Sequence, residues 1–271
     1  MDEVLKRLKS KSKLVRKHIL EMTTKACSGH PGGSMSALDI IVALYFYKMR
    51  HDPKNPEWEE RDRFILSKGH ASPALYSVLA ECGYFPIEKL ITFRDIDSIL
   101  EGHPCRKLVP GVDVSTGSLG QGLSIGVGMA LGARIKGEGH RIYVMLGDGE
   151  TQEGQVWEAA MAASHYRLDN ICAILDRNSL QIDGSTEEVM GVEPIADKWS
   201  SFGWNVLNID GHDMKEVLRA LDEAEMLKGA PTMIVAHTTK GKGVSFMEGV
   251  CEFHGKPLTK DQLCEALKEL I

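Results

Sequence analysis

The chain has 271 residues, 43% apolar and 26% charged, the balance of a globular protein long enough to bury a large core. A formal charge of −6 carries no electrostatic footprint for nucleic acid or an anionic membrane, and no apolar run approaches the ~20 residues that cross a bilayer. Its six cysteines (Cys27, Cys82, Cys105, Cys172, Cys251, Cys264) form no CxxC pair, which points to free thiols in a reducing cytoplasm and away from a disulfide framework or a zinc site.

In chain order, residues 4–26 read as an amphipathic helix. Its basic residues (Lys6, Arg7, Lys9, Lys11, Lys13, Arg16, Lys17) are interleaved with Leu5, Leu8, Leu14 and Val15. Acidic Asp2 and Glu3, with no small-residue cleavage site after an apolar core, argue against a targeting peptide. Pro31 and the neighbouring glycines predict a stop and an exposed loop, followed by a buried helix over 34–49. A short strand over 63–66 ends at Ser67-Lys68-Gly69-His70, and Pro73 sits in the first turn of the next helix, where proline is tolerated. A short helix over 87–93 and a loop with Glu101-Gly102-His103-Pro104 come next. In the glycine-lined helix after Ser115, several glycines each costing up to ~1 kcal/mol demand close backbone packing in return.

The segment from Arg141 to Gly184 carries the clearest signal. An apolar run over 142–146 stops at Gly147-Asp148-Gly149, a helical stretch fills 155–166, and a second apolar run over 171–175 stops at Asp176-Arg177-Asn178. That is a parallel strand–helix–strand unit, with Asp148 and Asn178 just past the carboxyl ends of two strands, where open α/β sheets bind ligands. A carboxylate and an amide oxygen are hard ligands suited to Mg²⁺ or Ca²⁺, and magnesium is commonly completed by substrate phosphates and water. Taken alone, Gly-Asp-Gly is an ordinary strand-end turn; the spacing to Asn178 supports a metal–diphosphate site.

A helix over 195–203, a strand over 205–209, a helix over 214–227 capped by Asp213, and a last strand over 232–238 follow. That strand ends at Thr239-Lys240-Gly241-Lys242-Gly243, where Lys240 is either a solvated turn residue or a phosphate contact. A C-terminal helix capped by Thr259 closes the pattern. We expect one domain over 1–271: a doubly wound α/β fold with about five or six mostly parallel strands and helices on both faces. Four histidines (His30, His70, His103, His254) fall in glycine-rich or strand-end loops; each alone is more often solvent-facing than functional.

Together SGHPGG, SKGHASPALY, EGHP, STGSLGQG, GDG…N, TKGKG and FHGKPL resemble the transketolase family, in the family's order, from residue 28 to 258. The resemblance implies the diphosphate-binding domain of a thiamine diphosphate enzyme. Asp148, Asn178 and the Leu180 carbonyl are then similar to the family's Mg²⁺ ligands, with Ca²⁺ or Mn²⁺ as substitutes. His70, Gly149, Asn178, Lys240 and His254 match cofactor contacts, and Gly117, Ser118 and Leu119 match the backbone beside the aminopyrimidine. His30, His103 and His254 match positions that handle protons of the sugar, and Glu153 a carboxylate near the subunit interface. Cys105 departs from the family, where many relatives carry a polar or acidic residue.

The family's pyrimidine domain and its glutamate have no counterpart in this sequence. The resemblance therefore implies the N-terminal subunit of a split transketolase, inactive alone. Its partner would be a C-terminal subunit bearing the pyrimidine domain, its substrates sugar phosphates, and its assembly a dimer of heterodimers. The alternatives are a subunit of a related two-carbon transferase acting on another sugar phosphate, and a non-catalytic cofactor-binding regulator.

Overall fold

The computed structural model describes residues 1–270. Helices α1 (Asp2–Ala26) and α2 (Pro31–Ala43) lead to β1 (Arg63–Leu66), and α3 (Ser72–Cys82) and α4 (Gln121–Lys136) lead to β2 (Ile142–Gly147). Helix α5 (Gly154–His165) connects β2 to β3 (Ile171–Arg177). A two-residue hairpin, β4 (Leu180–Gln181) with β5 (Gly184–Ser185), precedes α6 (Thr186–Met190) and α7 (Ile195–Ser201). Then come β6 (Asn205–Asp210), α8 (Met214–Met226), β7 (Thr232–His237) and α9 (Lys260–Glu269).

Five strands form one parallel sheet in the order β1-β2-β3-β7-β6, and β4 pairs antiparallel with β5 in a separate two-stranded ribbon. Every residue of β2 and β3 is buried, as expected where helices cover both faces of a parallel sheet. The period of two divides those side chains. Phe64, Leu66, Tyr143, Met145, Cys172, Ile174 and Ile234 join a core with α1, α2, α3 and α8. Ile65, Val144, Leu146, Ala173, Leu175, Met233 and Val235 join a second core with α4, α5 and α7.

The helix expected over 4–26 ends as expected at Ala26, but the exposed loop expected around Pro31 does not form. Pro31 opens α2, where its missing N–H costs nothing, and Gly32 and Gly33 are buried in the first turn. Helix α1 is capped at Cys27, which adopts φ 48° and donates its N–H to the Thr23 and Thr24 carbonyls. The α-helix expected over 34–49 ends at Ala43 and continues as one π-helical turn, Leu44–Lys48. Ile87–Thr92 is a 3₁₀ helix, and residues 115–120 are a loop leading into α4.

Close backbone packing explains only part of the glycine stripe. A Cβ on Gly126 would lie 2.7 Å from Val144 Cγ2, and one on Gly122 would lie 2.8 Å from Ser67 Cα. Both glycines let α4 press against the sheet. A methyl group added at Gly128 or Gly132 would meet nothing within 4 Å, so packing gives no account of them. The caps at Asp213 and Thr259 form as expected, the latter as a reciprocal capping box with Gln262.

Candidate active site

The carboxyl ends of β1, β2, β3 and β7 open into a cavity of about 280 Å³. Its walls include His30, His70, Gly117, Leu119, Asp148, Gly149, Glu153, Asn178, Leu180, Lys240 and His254. The fold therefore converges residues more than 220 positions apart in the chain on one crevice. Of the residues singled out from the sequence, His103 and Ser118 lie outside these walls. His103 sits on the rim, its ring 3.3 Å from where a Cβ of Gly117 would stand. Tyr76 holds that rim by donating its hydroxyl to the His103 carbonyl at 2.9 Å.

Asp148 terminates β2 and is almost fully buried. Its carboxylate accepts the backbone N–H groups of Gly149 at 2.8 Å and Ser179 at 2.5 Å. Burial, then the nearby Asp176, raise its pKa above the usual carboxylate range. Beside it, at the end of the adjacent strand, Asn178 Oδ1 accepts the Leu180 N–H at 3.2 Å, and the Leu180 carbonyl accepts the Lys240 ammonium at 2.7 Å. One carboxylate, one amide oxygen and one carbonyl make a hard oxygen set, and the carbonyl already attracts a cation. Among the described residues no group of three or more His, Cys, Asp or Glu assembles around a metal position. A divalent ion here would draw its remaining ligands from a bound diphosphate and water, which is how Mg²⁺ is usually held. The donor chemistry fits that ion.

Cations complement the opposite charge. Lys240 is 1% exposed, and its ammonium also donates to His254 Nδ1 at 2.8 Å. Burial, then repulsion from Lys68, lower its pKa to about 8. His30, His70 and His254 form a triangle with ring centroids 5.2 to 5.6 Å apart. Burial and then Arg94 lower His30 to about 4; burial and then Lys240 lower His254 to about 3. His70 is held well below its usual value, by burial and then Lys68. All three imidazoles are neutral at pH 7, able to accept a proton at one nitrogen and donate from the other.

Two buried networks position these loops. Glu150 accepts the Ser67 hydroxyl at 2.5 Å, the Gly120 N–H at 2.9 Å and the Gly147 N–H at 3.0 Å, clamping the 116–120 loop to the ends of β1 and β2. On the other side Arg16 donates to Asp39 at 2.6 Å, and Asp39 accepts from His212 Nδ1 at 2.9 Å. His212 Nε2 accepts the Thr239 N–H at 2.9 Å, while Arg16 Nε donates to the Lys242 carbonyl at 3.0 Å. This latch runs from α1 to the loop bearing Lys240.

Sequence reasoning did not single out Lys68, Glu150 or Asp176 as site residues. The usable signal was position: Asp176 directly follows an apolar run, and Lys68 and Glu150 stand two and four residues past one, where burial demands a partner. Their partners Ser36, Ser67 and Thr238 carry no sequence signal.

Residues 9–270 match the family model "Transketolase, thiamine diphosphate binding domain". The chain is 47% identical over 263 residues to a 6-deoxy-6-sulfo-D-fructose transketolase subunit of Clostridium sp. (strain MSTE9), covering 97% of this chain and 96% of that one. It is 46% identical to a subunit of the apulose-4-phosphate transketolase of Phocaeicola vulgatus, covering 97% and 93%. The solved transketolase of Campylobacter jejuni superposes with a TM-score of 0.92 at 36% identity, covering 97% of this chain. This chain spans only 42% of the length of that solved structure. The crevice thus lies in a known domain type, and the chain belongs to the transketolase family as its thiamine diphosphate binding domain.

Proposed function

We propose that the chain is the diphosphate-binding subunit of a two-chain, thiamine diphosphate- and Mg²⁺-dependent transketolase. It would transfer a two-carbon ketol unit from an anionic ketose to an aldose acceptor. The observation that carries this reading is the convergence of Asp148, Asn178, the Leu180 carbonyl, Lys240 and the three neutral histidines on one crevice. When bound, thiamine diphosphate supplies the carbanion chemistry. Asp148, Asn178 and Leu180 would hold the metal, while His70, Gly149 and Lys240 meet the diphosphate and Gly117, Ser118 and Leu119 flank the pyrimidine. His30 and His254 inside the crevice and His103 on its rim would move protons to and from sugar oxygens. Glu153, at the crevice edge and the start of α5, would face the partner.

The partner would bring the pyrimidine domain and its glutamate, most simply as a dimer of heterodimers. The names of the two split-subunit relatives favour an unusual anionic sugar, one a sulfonate and one a phosphate, over xylulose 5-phosphate.

The test is a coupled assay of the co-purified pair with thiamine diphosphate and Mg²⁺. Xylulose 5-phosphate, apulose 4-phosphate and 6-deoxy-6-sulfofructose would each be offered as donor. Turnover only in the pair, abolished by Asp148→Ala, is the expected result. Turnover by the single chain would sink the two-chain reading. Mg²⁺-dependent cofactor binding without turnover on any donor would favour a regulatory role.

A further inference from the structure

Asp176, the penultimate residue of β3, is 0% exposed and does not line the crevice, yet it touches two residues that do. Its carboxylate takes the Lys68 ammonium, the Ser36 hydroxyl at 2.6 Å, the Thr238 hydroxyl, and Asn178 Nδ2 at 3.2 Å. Four donors from α2 and from the ends of β1, β3 and β7 thus meet on one acceptor-only group. Lys68 continues to the Gly33 carbonyl at 3.0 Å, in the first turn of α2 beside His30.

An amide has one donating and one accepting end. With the NH₂ of Asn178 committed to Asp176, its oxygen must face the other way, toward Leu180 and the crevice. We propose that Asp176 is a positioning residue for the metal–diphosphate site: with the Lys68 ammonium as its own counter-charge, it fixes the Asn178 amide oxygen-outward, while contacting neither ion nor substrate. The inference rests on the thiamine diphosphate reading given above. An asparagine at 176 would present its own NH₂ to donors and leave Lys68 without a counter-charge, so the Asn178 amide would lose its preference for one orientation. An oriented ligand loses less freedom on chelation, the usual effect of hydrogen-bonded groups behind a metal's immediate ligands.

The test measures thiamine diphosphate binding to the full chain, co-purified with its partner, as Mg²⁺ is titrated. Thermal midpoints without metal report folding separately. Asp176→Asn is expected to raise the Mg²⁺ concentration for half-maximal binding at least tenfold. In an Asn178→Ala background it should add less than twofold, because its effect passes through that amide. A half-saturation within twofold of wild type in the single variant, or effects that multiply in the double variant, overturns the proposal. Should Asp176→Asn not fold, Thr238→Val and Ser36→Ala each remove one donor and keep the ion pair. A threefold or larger rise at an unchanged thermal midpoint supports the positioning role, and no rise in either overturns it. A wild-type chain that binds no thiamine diphosphate with Mg²⁺ overturns the functional reading and this proposal together; normal wild-type binding with unaffected variants overturns this proposal alone.

Discussion

Replacing Lys240 with methionine is expected to move stability and cofactor affinity in opposite directions. The ammonium is 1% exposed and, among the described residues, has no carboxylate in hydrogen-bond contact; its partners are the Leu180 carbonyl and His254. Its pKa falls from 10.5 to about 8, chiefly through burial and then Lys68. Because the folded value lies below the unfolded one, the charge opposes folding below pH 8, and that opposition fades as pH rises from about 8 to 10.5. At ~1.4 kcal/mol per unit the opposition at pH 7 is roughly 3 kcal/mol. The two lost hydrogen bonds give back about 1 kcal/mol each, and the methionine stem keeps the packing. Lys240→Met should therefore stabilise the cofactor-free chain by roughly 1 kcal/mol at pH 7. Losing a charge-assisted bond to a phosphate should weaken thiamine diphosphate binding by about 1.5–3 kcal/mol, or 10- to 150-fold. Urea unfolding with and without thiamine diphosphate and Mg²⁺ reads both terms. A variant less stable than wild type without cofactor, yet binding it equally well, would refute the reasoning.

The histidine triangle makes a pH prediction. His30 and His254 have folded values of about 4 and about 3, below the 6.5 of the unfolded chain, so the unfolded state gains protons first as pH drops. The histidine contribution to stability should be flat above pH 6.5 and fall from 6.5 toward 4; His254→Asn should shallow that fall, and parallel urea-midpoint profiles between pH 7.5 and 5.5 would contradict it. In α4, Gly126→Ala meets Val144 whereas Gly128→Ala meets nothing, so the helix-propensity gain of up to ~1 kcal/mol is common to both and their difference isolates overpacking. Gly126→Ala should come out less stable than Gly128→Ala by about 1–3 kcal/mol in denaturant unfolding; equal stabilities would show that the sheet yields freely.

Local pattern was enough to place the five strands of the parallel sheet, since their apolar runs end abruptly at a polar or glycine residue, but not the short β4–β5 ribbon. Arg63–Leu66 falls at its expected bounds, and Ile142–Gly147 and Ile171–Arg177 extend only one or two residues beyond theirs. The spatial order was not legible: nothing in Thr232–His237 says that it inserts between β3 and β6. Pro31 misled because proline also opens helices: with Gly32 and Gly33 it forms the buried first turn of α2 where an exposed loop was expected. In the crevice, residues inside glycine-rich signatures could be named in advance. Asp176 could not, since its role depends on Ser36 and Thr238, which arrive from opposite ends of the chain.

The latch from Arg16 through Asp39 and His212 to Thr239 ties the first helix to the crevice. Shortening the chain past Arg16 is then an edit to the loop bearing Lys240, although Arg16 is 224 positions away from it in sequence. A tag added before Met1 should be harmless, whereas deletion of residues 1–20 should leave residues 238–249 open to protease; resistance of that loop in the shortened chain would show that the latch is dispensable. Engineers who trim this helix for expression would be altering the crevice from its far end.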